Sequence, residues 1–196
     1  MLKIKFDEAQ KLEINQKYVT GEFFLVPGKI SIIGGENGIG KSSVFQYIRL
    51  KQRETLKGLR ACFVAQERLT PLNEINFDEA CQVLLRFRSE ELSFFKENLA
   101  LISDFAQRPI HNLSGGQNQM IKIMLALFQS GDAFFFDEPL QYLDKKNVLF
   151  FRECLLYLKQ KNKYICLVEH NRDPLLDLVD LSFEMTCHEQ LSIEQI

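Results

Sequence analysis

The sequence predicts an α/β layered domain built on a mostly parallel sheet, and two observations lead there. Short apolar runs of strand length alternate along the chain with longer stretches of helical periodicity. One of those runs, Ile30–Ile33, passes directly into a glycine-rich loop and then a helical pattern, the strand-loop-helix unit of phosphate-binding sheets. At 196 residues the chain suits one domain, or one domain carrying a subdomain.

The elements follow in order. Short apolar runs at Ile30–Ile33, Ala61–Val64, Ala133–Phe136 and Tyr164–Val168 read as buried strands, with a weaker one at Leu181–Met185. Helical spacing marks Lys41–Leu50, Glu79–Phe87 (with Asp78 placed to cap it), Glu90–Ile102, Gln117–Phe128 and Asn147–Gln160. Between about 70 and 110 helical patterns occur without convincing strands, as in a helical insertion; its bounds are taken as 67–116, within one domain spanning 1–196.

Composition excludes several classes. Hydrophobic residues at 46% and charged residues at 26% are the balance of a soluble globular chain. A net charge of −2 leaves no basic footprint, so no nucleic-acid partner is expected. The densest basic stretch, Lys51, Arg53, Lys57 and Arg60 around Glu54, reads as a solvated face. Five scattered cysteines without a C-x-x-C pair read as reduced core thiols, and 17 phenylalanines as core packing. The N-terminus MLKIKFDEAQ is unlike a signal peptide, and no run approaches the ~18 apolar residues of a membrane span. A cytoplasmic location is expected, with any membrane role coming through a partner.

Gly35-Glu36-Asn37-Gly38-Ile39-Gly40-Lys41-Ser42, after the strand Ile30–Ile33, satisfies G-x-x-x-x-G-K-[ST], the Walker A pattern. Its glycines let several backbone N–H groups point at phosphate oxygens, and the helix beginning near Lys41 adds the positive end of its dipole. Gly35, Asn37, Gly38, Gly40, Lys41, Ser42 and Ser43 form the expected ATP-binding set, with Lys41 facing the β- and γ-phosphates and Ser42 placed to ligate Mg²⁺. The fold expectation therefore sharpens to a P-loop NTPase core.

Ala133–Phe136 ends in Asp137-Glu138-Pro139, an apolar strand closing on two carboxylates, the Walker B pattern. In an open parallel sheet this end of a strand is where ligands bind. Asp137 can hold Mg²⁺, a hard cation that takes oxygen ligands, and Glu138 can polarise the attacking water.

Leu113-Ser114-Gly115-Gly116-Gln117 stands before the long apolar helix Gln117–Phe128, a second helix start suited to phosphate. With this LSGGQ run the chain resembles the ABC (ATP-binding cassette) ATPase family over nearly its whole length. The resemblance implies a P-loop core, a trimmed antiparallel β subdomain and a helical signature subdomain. It also implies a dimer, in which Ser114, Gly115, Gly116 and Gln117 close over ATP held by the Walker A loop of a second cassette, identical or related. Gln66 resembles the Q-loop glutamine, contacting Mg²⁺ and the helical subdomain; Asp144 in Leu143-Asp144 resembles the D-loop; His170 resembles the switch histidine at the γ-phosphate. Catalysis then falls to Glu138, His170 and Lys41, the metal to Ser42, Gln66 and Asp137, with ATP and Mg²⁺ as cofactors.

Departures from the family pattern are Leu140-Gln141-Tyr142 before the D-loop, Met120 after the signature and Glu169 before the switch histidine. The short Lys41–Gln66 segment trims the β subdomain and leaves the adenine contact open between Tyr18 and Phe6. Two roles suit the motif set: the ATPase subunit of a transporter whose transmembrane subunit is a separate chain, or a cytosolic ABC ATPase of translation, repair or cofactor assembly. In the first role Phe87, Phe94 and Phe95 are candidates for a groove that receives the transmembrane subunit.

Overall fold

A computed structural model describes residues 1–6, 12–14, 17–65, 76, 79, 104–129, 131–187 and 191–196. The strands are β1 (Leu2–Phe6), β2 (Glu13–Ile14), β3 (Lys17–Leu25), β4 (Ile30–Gly34), β5 (Ala61–Val64), β6 (Ala133–Asp137), β7 (Tyr164–Val168), β8 (Leu181–Cys187) and β9 (Leu191–Gln195). The helices are α1 (Lys41–Leu50), α2 (Gln52–Thr55), α3 (Gly115–Phe128) and α4 (Lys145–Gln160), with 3-10 turns at Ile110–Asn112 and Asp173–Leu175.

The sheet runs β1-β3-β9-β8-β4-β7-β6-β5, with β2 paired to β3. From β8 through β4, β7 and β6 to β5 every pairing is parallel, while β1/β3, β2/β3 and β8/β9 are antiparallel. This is the expected α/β fold, a parallel core with an antiparallel flank.

Strand alternation divides the core into two layers. Ile30, Ile32, Phe134, Phe136, Ile165 and Leu167 face a layer shared with α3 and α4. Ile33, Phe135, Cys166 and Val168 face the opposite layer, with α1 and Phe183. Burial on both faces is why these strands read as nearly continuous apolar runs, with the buried Ser31 inside β4. Phenylalanines fill both layers: Phe135 stacks on Phe63 at 4.8 Å and meets Phe45 edge-on at 5.3 Å, while Phe136 meets Phe151 at 5.2 Å. Cys62, Cys154 and Cys166 are free buried thiols, as expected.

Several elements differ from the sequence expectation. β1, β2, β3, β9 and α2 were not anticipated. Helix α3 starts two residues before Gln117 because Ser114 caps it, and α4 starts two before Asn147 because Asp144 does. The expected helices Glu79–Phe87 and Glu90–Ile102, the cap Asp78, and Phe87, Phe94 and Phe95 lie outside the described residues, apart from Glu79 itself. Among the described residues, no helix is long and apolar enough to cross a membrane.

Candidate functional site

β4 lies between β7 and β8 in the middle of the parallel sheet and delivers the glycine loop to its carboxyl edge. Gly35, Gly38 and Gly40 adopt φ of +135°, +76° and +109°. At Gly40 this conformation has a second cause, since an added Cβ would come within 2.7 Å of the Ile14 side chain from the neighbouring hairpin. Gly40 offers no side chain to cap α1, so the helix opens with amide donors available to an anion. Lys41 is buried, and its Nζ donates to the carbonyls of Gly35 and Glu36 at 2.8 Å each. Burial lowers the Lys41 pKa, against the opposing pull of Glu138 and Asp137. A glycine loop closed around an ammonium at a helix N-terminus fits a polyphosphate.

Parallel pairing of β6 with β7 brings the acidic strand end beside this loop. Ser42 Oγ donates to Asp137 Oδ1 at 3.0 Å. Burial of the Asp137 carboxyl pushes its pKa up to about 6; Glu138 adds to the rise, while the Ser42 hydroxyl and Lys41 oppose it. A hydroxyl and a desolvated carboxylate in contact are the oxygen donors a Mg²⁺ ion takes, and its charge would offset the burial of Asp137. Ser42, Ser43, Gln46, Arg49, Ala65 and Asp137 border a cavity of about 180 Å³.

Beyond β6 the chain turns sharply. Glu138 sits at φ +47°, an uncommon conformation for a residue with a side chain, and its amide donates to the Val168 carbonyl at 2.8 Å. His170 is exposed after β7, whereas its neighbour Glu169 is buried. Glu169 Oε1 accepts from the Leu140 amide at 2.8 Å. Burial raises the Glu169 pKa to about 7.

Ser114 and Gln117 form a capping box: Gln117 N–H donates to Ser114 Oγ at 3.3 Å, and Ser114 N–H to Gln117 Oε1 at 3.0 Å. Asp144 caps α4 by accepting from the Asn147 amide at 2.8 Å. Ser114, Gly115, Gly116, Gln117 and Asp144 border one surface hollow beside Tyr142. Two side-chain bonds tie α3 to the nucleotide side: Gln119 Nε2 donates to the Pro139 carbonyl at 3.3 Å and Lys122 Nζ to the Ala65 carbonyl at 2.9 Å.

The structure thus brings Lys41, Ser42 and Asp137 together, and groups Ser114, Gly115, Gly116, Gln117 and Asp144 in a second hollow. Asn37 and Gly38 are exposed on the loop, and Gln66 lies outside the described residues. Of the two adenine candidates, Phe6 is buried against Phe23 and Tyr47, which removes it. Tyr18 is exposed, but strand alternation sets it on the face opposite buried Val19, and its partner across the hairpin is Glu13 rather than Ile14. Sequence reasoning missed Ile14 against the loop and the contacts of Glu169. It also missed Arg172, which pairs with Glu184 and covers Gly34. An apolar residue in a two-residue strand carries little local signal, although Glu169 had already stood out as a departure.

Known proteins resemble this chain in sequence and in fold. The family model described as ABC transporter matches residues 21–141. The chain is 27% identical over 188 residues to the energy-coupling factor transporter ATP-binding protein EcfA2 of Spiroplasma kunkelii, covering 79% of this chain and 60% of that protein. It is 26% identical over 190 residues to Protein Pixie of Drosophila melanogaster, covering 82% and 30%. It therefore spans less than two thirds of either relative. Among solved structures, the archaeal ribosome recycling factor aABCE1 in complex with ribosomal stalk protein aP1 shares the fold at TM-score 0.73 and 19% identity, covering 93% of this chain and 41% of that one. A putative metal-chelate type ABC transporter does so at TM-score 0.65 and 22% identity, covering 89% and 74%. With most of its length inside the matched span, the chain belongs to the ABC transporter family, as one of its ATPase cassettes.

Proposed function

We propose that this cassette binds ATP with Mg²⁺, pairs with a second cassette, and drives a transporter whose transmembrane subunit is a separate chain. The observation that carries the site is the 3.0 Å contact between Ser42 and Asp137, which joins the phosphate loop to the acidic strand end. Lys41 and the loop amides hold the phosphates, and Glu138 orients and polarises the attacking water. His170 meets the γ-phosphate. Mg²⁺, held by Ser42 and Asp137 with Gln66, supplies charge neutralisation on the phosphates when bound. Ser114, Gly115, Gly116, Gln117 and Asp144 face the nucleotide of the second cassette. The chain is a single cassette over 1–196 with a helical subdomain near 67–116, working on the cytoplasmic face of a membrane.

Transport coupling draws on the 27% match to a transporter ATP-binding protein over most of this chain. A cytosolic ATPase acting on another assembly is the second role; the recycling-factor likeness, at 19% identity, carries the fold alone. A pull-down from solubilised native membranes separates them, using a tagged Glu138→Gln variant with ATP and Mg²⁺. A polytopic membrane protein in stoichiometric amount supports the transporter role. Soluble proteins or ribosomes alone transfer the assignment to the cytosolic role.

A further inference from the structure

We propose that Glu169 is a positioning residue for hydrolysis, its carboxylate holding the turn after Glu138 and the switch loop in one fixed relation. The proposal rests on the ATPase role of the site. The turn carrying Glu138 is fastened to the β7 end at two points. Glu138 N–H donates to the Val168 carbonyl at 2.8 Å, and Leu140 N–H donates to Glu169 Oε1 at 2.8 Å. Glu169 is also joined by its own peptide bond to His170, the first residue of the switch segment. The backbone of Glu169 adds a third tie, donating to the Ile33 carbonyl at 3.3 Å, where β4 feeds the phosphate loop. One buried residue therefore touches the segments that carry the water-polarising carboxylate, the switch histidine and the phosphate loop.

Side-chain length decides what this position can do. Glutamate reaches from β7 to Leu140, 29 residues earlier in the chain. A threonine at this position would end two atoms sooner and leave the Leu140 amide without this acceptor. Glu138 is held at φ +47°, a conformation its own preferences disfavour, so its direction depends on the anchors of the turn. Losing one anchor would misplace the Glu138 carboxylate while leaving the loop around Lys41, which binds the nucleotide, untouched.

The test is steady-state ATP turnover and nucleotide affinity of the full chain for wild type, Glu169→Ala and Glu169→Gln, with Lys41→Ala as the background control. Glu169→Ala is expected to lower kcat by roughly 10- to 100-fold with KM for ATP near the wild-type value. Glu169→Gln keeps an acceptor oxygen at the same reach and is expected to restore kcat to near wild type. If Glu169→Ala does not fold, Glu169→Thr carries the same comparison with a side chain too short for Leu140. A short-side-chain variant with wild-type kcat overturns the proposal alone, as does a folded Glu169→Gln as slow as Glu169→Ala. A wild-type chain without Lys41-dependent turnover overturns the ATPase role and this proposal with it.

Discussion

The carbonyl oxygen of Tyr142 lies so close over Gly116 that an added Cβ there would come within 2.6 Å of it. The neighbouring Gly115 meets the Tyr142 ring in the same way, with 3.1 Å to the nearest ring atom. Tyr142 itself is held at φ +65°. Gly116→Ala must therefore displace backbone rather than a flexible side-chain end. The displacement costs about 1–3 kcal/mol, against a gain of up to ~1 kcal/mol from replacing glycine in a helix. The clash wins, and the urea midpoint of Gly116→Ala is expected to fall without a change in slope.

Ser42→Ala removes the hydroxyl that donates to Asp137 Oδ1 and, in the proposed role, a metal ligand. Mg²⁺-dependent ATP turnover is expected to fall by roughly 10- to 100-fold, while nucleotide binding measured in chelator changes little. Titration calorimetry with and without Mg²⁺ checks the split.

Ile14 and Gly40 form a steric pair between the hairpin and the phosphate loop. Gly40→Ala suffers both the contact with Ile14 and the strain of φ +109°. Ile14→Ala alone loses buried packing, about 2–5 kcal/mol. In the double variant the contact is relieved and only the backbone strain and lost packing remain. Denaturation of all four proteins is expected to show the double variant less destabilised than the sum, by about 0.5–3 kcal/mol.

Glu169 makes folding stability depend on pH. Burial holds its carboxyl at about 7 in the folded chain, above the ordinary 4.5. Between those values the folded state keeps a proton that the unfolded state has released, so this contribution is fully present below 4.5 and declines as pH rises toward 7. A difference of that size corresponds to about 3 kcal/mol. Glu169→Gln cannot ionise and is expected to lose that decline. Its stability relative to wild type should rise across the window in denaturant titrations at closely spaced pH values.

The contiguous motifs were legible in the sequence. Gly35 through Ser42, Ala133 through Glu138 and Leu113 through Gln117 each encode a strand end, turn or helix start whose geometry follows from its own residues. The strands flanking them were read less well. β1 alternates Leu2, Ile4 and Phe6 inward with Lys3 and Lys5 outward, a period-2 pattern only five residues long. β9 is short and half polar, and it becomes a strand by bridging β3 and β8.

What the sequence determined by itself was the chemistry: a phosphate loop, an acidic strand end and a second helix start, each local enough for residue identity and spacing to specify it. Only the tertiary structure decided which groups meet. It buried Phe6 in the core, set Ile14 rather than Tyr18 on the loop, and joined Glu169 to Leu140. Those contacts join segments far apart in the chain, and their partners are selected by sheet order and by the face on which each side chain emerges. Neither is written in any short stretch of residues.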